Sequence, residues 1–433
     1  MTSRHYSEQV ALLPYIGKWL LLSGLVAILA GTASAFFLLA LEWATGWREA
    51  HRWMLWLLPV AGFAVGWTYL KLGRDVEAGN NLLIDEIHSP QQVVKLRMAP
   101  LVLIGTIVTH LFGGSAGREG TAVQMGGALA DQLNHLLPLS KEDRRILLMS
   151  GISAGFSSVF GTPLAGAIFG LEVLAIGRLR YDAIWPCLFA AIVADQVGLL
   201  WGIHHTHYVI PFIPQPTLWG LLASVLAGVA FGLTGKAFAD TVHAVAALFK
   251  RRVGYPPLRP LIGGTIVAAA ALLLGGDRFI GLGIPTIVSA FQQPLPTYDF
   301  AGKLLFTVAT LGSGFKGGEV TPLFYIGATL GNALAPLLHL PFPLLAGMGF
   351  VAVFAGAANT PLASTVMAVE LFGPEVGVYA ALACVVSYLC SGHTGIYRAQ
   401  RIGQGKRPGL PEDIRLSELP LRRDTAGETD SNR

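Results

Sequence analysis

Residues 113–121 read GGSAGREGT and carry a single carboxylate, Glu119. Two hundred positions later, residues 312–322 read GSGFKGGEVTP and carry Glu319 in a similar glycine-rich setting. Both stretches lie among long apolar runs, where an ionisable residue marks a functional position by default. The glycines leave backbone N–H groups free to approach a ligand. A helix opening at about Thr121 would turn its partial positive end back onto the loop. The expectation is that each loop opens a helix whose N-terminus faces an anion inside a membrane.

Composition supports that setting. The 433 residues are 53% hydrophobic and 13% charged, against about 25% charged in a typical soluble domain. Apolar runs recur along nearly the whole chain, which predicts an all-α, polytopic membrane protein and excludes a soluble enzyme. The three cysteines, Cys187, Cys384 and Cys390, sit in apolar context and are odd in number, which argues against a disulfide framework. A net charge of +4 suggests no nucleic-acid partner. No cofactor or metal is expected. The apolar run from residue 19 is long enough to span and has no convincing cleavage site, so it reads as a membrane segment rather than a signal peptide.

The chain divides into a polar N-terminal segment (1–18), a first membrane repeat (19–203), a link (204–217), a second repeat (218–397) and a hydrophilic tail (398–433). Residues 19–44 and 54–72 can each cross the bilayer core. Between them, residues 46–53 read as an aqueous turn anchored by Trp47 and Trp53. Beyond residue 100 many apolar pieces are only about 13 to 17 residues long, several too short to span alone. Short segments broken by Gly and Pro suggest helices that stop partway through the bilayer, as transporters build binding sites. The tail, rich in Arg, Gly and Pro, reads as disordered or loosely docked, and its basic start favours the cytoplasmic side.

An internal repeat supports a two-fold architecture. GNNLLID at 79–85 matches GLGIPTI at 281–287, an offset of 202. Residues 117–128 match 317–328 at an offset of 200, and 151–172 match 349–370 at an offset of 198, sharing TPLA and a later Glu. Three blocks in the same order imply two similar halves with a site where they meet. Whether the halves are parallel or inverted stays open, because the number of true crossings between the two loops is ambiguous.

Glu119 is the leading candidate. A carboxylate at the centre of a membrane helix costs about 2.5–3.5 kcal/mol on insertion scales. Here it would be the nearest anion to an anion-binding helix end. A free anion would compete with it for one place, and protonation would release the side chain, coupling proton movement to anion movement. The plainer alternative is a dipole partner at a water-facing helix end. Glu319 offers a second proton carrier and Thr321 a hydroxyl donor; alternatively, Lys316 pairs with Glu319 at i, i+3. Asn80 and Asn81 stand at a third glycine-led helix start, as donors to an anion or as ordinary caps. Tyr397 closes the apolar region, where a Tyr is commonly an interfacial anchor. Glu172 and Glu370 are either interfacial or paired with polar groups. Residues 113–117 also satisfy G-x-S-x-G around Ser115, with His110 nearby, which leaves an intramembrane serine hydrolase as a remote alternative. His204, His205 and His207 read as a surface loop rather than a metal tract.

These motifs resemble those of the CLC chloride channel and transporter family. GREGT at 117–121 is similar to the family's GREGP, GGEVTP at 317–322 to its GxFxP loop, and GNNLL stands where the family has GSGIP. The resemblance covers about residues 18–397. It implies an inverted repeat of many tilted helices, a homodimer and one ion pathway per subunit. Glu119 takes the position of the gating glutamate and Tyr397 that of the pore-lining tyrosine.

The departures are informative. Asn80 replaces the anion-coordinating serine, Thr121 replaces the proline after GREG, and the second loop contains Glu319 and Thr321. Glu172 is followed by Val173 where the chloride/proton antiporters have their inner proton glutamate. Together these resemble the CLC-F branch of bacterial fluoride/proton antiporters. That resemblance implies an inner-membrane exporter of fluoride, with chloride/proton antiport or a passive chloride channel as the alternative. Fluoride is small, strongly hydrated and a strong acceptor, so its site must offer firm donors. The candidate anion ligands are Asn80, Thr321, Tyr397, Gly117 and Val320, and the candidate proton carriers are Glu119 and Glu319.

Overall fold

A computed structural model describes residues 8–419, apart from residue 276. The first half comprises α1 (Glu8–Ala50), α2 (Leu58–Leu72), α3 (Asn80–His88), α4 (Met98–Leu111), α5 (Glu119–Leu136), α6 (Lys141–Phe160), α7 (Pro163–Glu172) and α8 (Ile184–Leu200). The second comprises α9 (Leu218–Arg252), α10 (Leu258–Leu273), α11 (Ile284–Gln292), α12 (Asp299–Gly312), α13 (Val320–Leu338), α14 (Phe342–Ala358), α15 (Pro361–Phe372) and α16 (Gly377–Cys390). Among the described residues, eight helices thus answer eight in chain order and with broadly similar lengths. α3 and α11 have nine residues each, and α4 and α12 have fourteen each. Among the described residues, five helical segments are long and apolar enough to cross a membrane; the rest are shorter. This is the expected polytopic, all-α repeat with partly non-spanning helices.

The halves are inverted. The start of α6 lies beside the start of α1, joined by Lys18 and Asp143 at 2.6 Å. α5 therefore runs from its glycine loop towards that face. The end of α7 meets the start of α15 through Glu172, and the end of α15 meets the start of α7 through Glu370. The two glycine loops cross antiparallel at Gly117 and Gly318. Equivalent helices therefore run in opposite directions, and α13 ends on the opposite face, where Leu338 accepts a bond from the indole of Trp219 at the start of α9 (3.0 Å). α9 starts on that opposite face and ends in Lys250–Arg252 on the Lys18 side, where Arg74 shares a vestibule with Lys250 and where Arg145 and Arg180 lie around Asp182; we call this the basic face.

The packing repeats as well. Gly126 on α5 and Gly151 on α6 meet backbone to backbone, each lacking the Cβ that would strike the other's carbonyl. Gly327 on α13 and Gly349 on α14 do the same. Gly327→Leu is therefore expected to abolish recovery of folded protein, because the obstacle is backbone that cannot give way; a monodisperse peak in detergent chromatography at wild-type yield would contradict this. Between these helix pairs sits a stack of aromatic rings, with Phe324–Phe350 at 4.0 Å and Phe156–Phe169 at 4.2 Å. Phe156 and Phe354 bring the two halves together at 6.1 Å.

Glu172 and Glu370 make the symmetry explicit. The Glu172 carboxylate accepts from Leu362 N (3.0 Å) and Ala363 N (2.8 Å) at the start of α15. The Glu370 carboxylate accepts from Leu164 N (2.9 Å) and Ala165 N (2.8 Å) at the start of α7. Each half satisfies the orphan amides of the other with a carboxylate at the positive end of a helix, buried at Glu172 and half-buried at Glu370.

Two expectations need correction. The turn at 46–53 is largely helix, since α1 continues to Ala50. Arg48 is buried and donates to the carbonyl of His110 (3.3 Å), so its charge does not require the helix to end in water. The same helix takes in residues 8–18 of the N-terminal segment, which leaves its polar character as read; residues 1–7 lie outside the described part. The tail is not loose between 398 and 419. Arg401–Ile402 pairs in parallel with Ala175–Ile176, and Ile414 and Leu416 are buried beside it. Lys406 Nζ donates to the carbonyls of Tyr388 (2.5 Å) and Gly392 (2.6 Å), closing the end of α16. Residues 420–433 lie outside the described part.

Candidate anion and proton site

The two glycine loops meet at the centre. Gly117 N–H donates to Gly318 O (2.6 Å) and Gly318 N–H to Gly117 O (2.8 Å), an antiparallel bridge between the halves. Gly317 has φ of 155° and Gly314 of 109°, both in the region that favours glycine. The bridge sets Glu119, the first residue of α5, against the N-terminus of α13.

Glu119 is fully buried. One carboxylate oxygen accepts from Thr321 N (3.0 Å) and Arg118 N (3.1 Å), and the other accepts from Thr321 Oγ1 (2.5 Å). The Arg118 Nε lies 3.7 Å away. An anion does lie at a helix end, as the sequence predicts, but the helix facing it is α13 from the other half. The reason is geometric: α5 begins at Glu119 itself, so the side chain takes the amide of its own cap, Arg118, and reaches across to Thr321 in the first turn of α13.

The candidate ligands separate accordingly. Thr321 presents both an amide and a hydroxyl to the carboxylate. Gly117 does not offer a free donor, because its N–H is spent on Gly318. It contributes space instead, since a Cβ there would stand 2.9 Å from Glu119 Oε2. Val320 opens α13, and its amide belongs to the first turn, whose N–H groups lack intrahelical partners. Arg118 was not singled out in the sequence, although the signal was present in its place immediately before Glu119.

Asn80, Glu319 and Tyr397 line a separate cavity of about 160 Å³ together with Lys316. Asn80 does not cap α3: Gly79 occupies the cap position and there is no side-chain cap bond. The Asn80 Oδ1 is buried without a partner, whereas Asn81 Oδ1 is tied to Ala399 N (2.9 Å). Tyr397 is buried rather than an interfacial anchor. Lys316 stacks over Tyr69, with Nζ 4.0 Å from the ring centre, and forms no ion pair with Glu319 among the described residues. Val173 is buried, and the preceding Glu172 is engaged at α15 as described above.

Cavities lie on both sides of the paired glycine loops. The inner cavity shares Glu77, Phe315 and Lys316 with a vestibule of about 690 Å³ that opens on the basic face beside Arg74, Lys250 and Arg259. On the other side, Glu119, Thr321, His205 and Arg118 line a chamber of about 20 Å³. Arg118, His205 and Thr206 continue into an outer vestibule of about 540 Å³ bordered by Glu42 and Glu49. Glu119 thus lines the small chamber on one side, and Glu319 lines the inner cavity on the other.

Ser115 has no part in a nucleophile elbow. It is fully buried in a loop between helices, its hydroxyl bonded to Thr307 Oγ1 (2.9 Å) and its amide to Thr310 Oγ1 (3.1 Å).

Comparison with known proteins gives the same architecture. Residues 61–392 match the family described as Voltage gated chloride channel. The chain is 66% identical over 420 residues to a Pseudomonas syringae pv. tomato protein named chloride/fluoride channel protein, covering 95% of this chain and 93% of that one. A crystal structure of a CLC-type fluoride/proton antiporter is 36% identical, with a TM-score of 0.86 over 89% of this chain and 98% of the other. A slow cyanobacterial Cl⁻/H⁺ antiporter shares the fold, with a TM-score of 0.77 and 20% identity, covering 94% and 98% of the two chains. The chain belongs to the CLC family of chloride channels and transporters. It is an ion-transport protein of the membrane and not an enzyme, which removes the hydrolase reading.

Proposed function

We propose that this protein is a secondary antiporter that exports fluoride from a bacterial cytoplasm in exchange for protons and so confers fluoride resistance. The observation that carries this reading is the Glu119 carboxylate held by Thr321 and Arg118 at the N-terminus of α13. An anion-binding site is filled by a titratable anion belonging to the protein. Protonation weakens the carboxylate's hold on these donors and vacates them for fluoride, while the departing side chain carries the proton. Glu319 is the second proton carrier, with Asn80 and Tyr397 beside it as anion ligands. The relatives named for fluoride support the choice of ion, and chloride is the alternative.

The basic face is cytoplasmic by the distribution of Lys and Arg, so Arg74, Lys250 and Arg259 gather anions at the entrance. The working unit is a homodimer in the inner membrane. Efflux from proteoliposomes loaded with fluoride or chloride, with a pH electrode outside, tests the assignment. Release of fluoride with opposing proton uptake is expected; chloride release without fluoride release would defeat it. Thr321→Val removes one hydroxyl donor to a charged group, worth about 1.5–3 kcal/mol, and should slow fluoride release roughly ten- to hundredfold. Thr321→Ser should retain most of the rate, and equal loss in both variants would contradict this role for the hydroxyl.

A further inference from the structure

The small chamber above Glu119 is also lined by Thr206, Tyr208 and the imidazole of His205, none of which bonds to the carboxylate. His205 lines both that chamber and the outer vestibule. Its ring lies over Gly161, the residue that ends α6, so close that a Cβ there would collide with it. Its Nε2 is buried without a hydrogen-bond partner and stands 3.9 Å from Asp195 Oδ1 on α8. Gln196 holds the other oxygen of Asp195 at 3.2 Å. The chamber's volume of about 20 Å³ fits one water, for which a polar site needs at least roughly 10–15 Å³. Its polar walls are Glu119, Thr321, Arg118, Tyr208 and His205, enough partners to hold that water.

We propose that His205, oriented by Asp195, relays protons between the outer vestibule and Glu119. The inference rests on the antiport reading above. A hydronium ion in the vestibule gives its proton to Nε2, forming the imidazolium opposite Asp195. The imidazolium then passes a proton through one water to the Glu119 carboxylate and returns to neutral. The net change is one proton moved from vestibule water to Glu119, with no other bond made or broken.

The charged and titratable groups around the ring fit a transient carrier. Asp195 on α8 favours the imidazolium, and Arg118, His204 and His207 oppose it. The end of α6 brings the backbone carbonyl of Val159, which accepts a hydrogen bond from the ring and favours its protonation. Phe160 and Ile284 add no charge, and Glu42 and Glu49 on α1 lie across the vestibule. Burial, with Arg118 next, pushes the His205 pKa down to about 4. The ring is therefore neutral near pH 7 and holds a proton only in passing.

The test uses full-length protein in proteoliposomes, with fluoride-driven proton uptake followed across a pH series. His205→Ala should slow coupled exchange about tenfold or more and flatten its pH dependence, and added imidazole should restore both. His205→Gln, which preserves bulk, should show the same loss, and Asp195→Asn a smaller one. Wild-type rate and pH profile in the variants would overturn the proposal. So would a uniform slowing that imidazole does not rescue, since that describes packing against Gly161. Absence of fluoride-coupled proton uptake in the wild type would defeat the antiport reading instead, which keeps the two failures distinct.

Discussion

Glu119→Gln is expected to reduce proton exchange about hundredfold or more, to the background of protein-free liposomes. The amide keeps the shape of the side chain and one acceptor oxygen for Thr321, so the fold should survive. It cannot take up or release a proton at any accessible pH, and it brings no charge to the amides of α13. Any fluoride flux that persists in the variant should leave the external pH unchanged. The measurement is external pH during a fluoride gradient, with a fluoride electrode in parallel. Proton uptake at the wild-type rate would remove Glu119 from the mechanism.

The second large effect concerns stability and lies away from the gate. Arg144 at the start of α6 forms a two-pronged pair with the fully buried Asp131, with both N···O distances at 2.7 Å. It also reaches Glu86 Oε2 at 3.0 Å and the carbonyl of Gln92 at 2.6 Å. Asp131 in turn accepts Val94 N (2.7 Å), and Glu86 accepts Gln91 N (2.9 Å). One guanidinium thus ties α3, α5 and α6 to the connection ahead of α4. Arg144→Ala leaves two carboxylates without their cation in a site closed to water, at a cost of about 3–5 kcal/mol. A large fall in thermal stability in detergent is expected. Because Asp131 and Arg144 act as a unit, Arg144→Ala combined with Asp131→Ala should lose less than the sum of the two single losses. Additive losses, or a stable Arg144→Ala, would contradict the network.

Much of this arrangement was legible beforehand for a local reason. Glycine-rich loops, short apolar segments and a lone carboxylate announce interrupted helices and an anion-binding helix end, because backbone freedom and the helix dipole act over a few residues. The matching blocks at 79, 117 and 151 also exposed the paired halves. Their inversion stayed open, since counting crossings requires knowing which segments stop midway. The docked tail was misread because Arg401–Ile402 and Lys406 sit in a hydrophilic stretch. Their partners, Ala175–Ile176 and the end of α16, are visible only once the chain is folded.

The sequence by itself determined that Glu119 is a titratable anion beside amides freed by glycine and that a second such loop exists. Only the tertiary structure decided which amides hold it. Thr321 lies 202 positions along the chain from Glu119, brought there by the Gly117–Gly318 bridge between inverted halves. The same folding spent the Gly117 N–H, left Asn80 facing a different cavity and placed His205 on the chamber that Glu119 lines. Residue type fixes what chemistry a position can perform, whereas contact across the repeat interface fixes with whom. That partner is selected by packing among many elements at once, information that no local stretch of sequence contains.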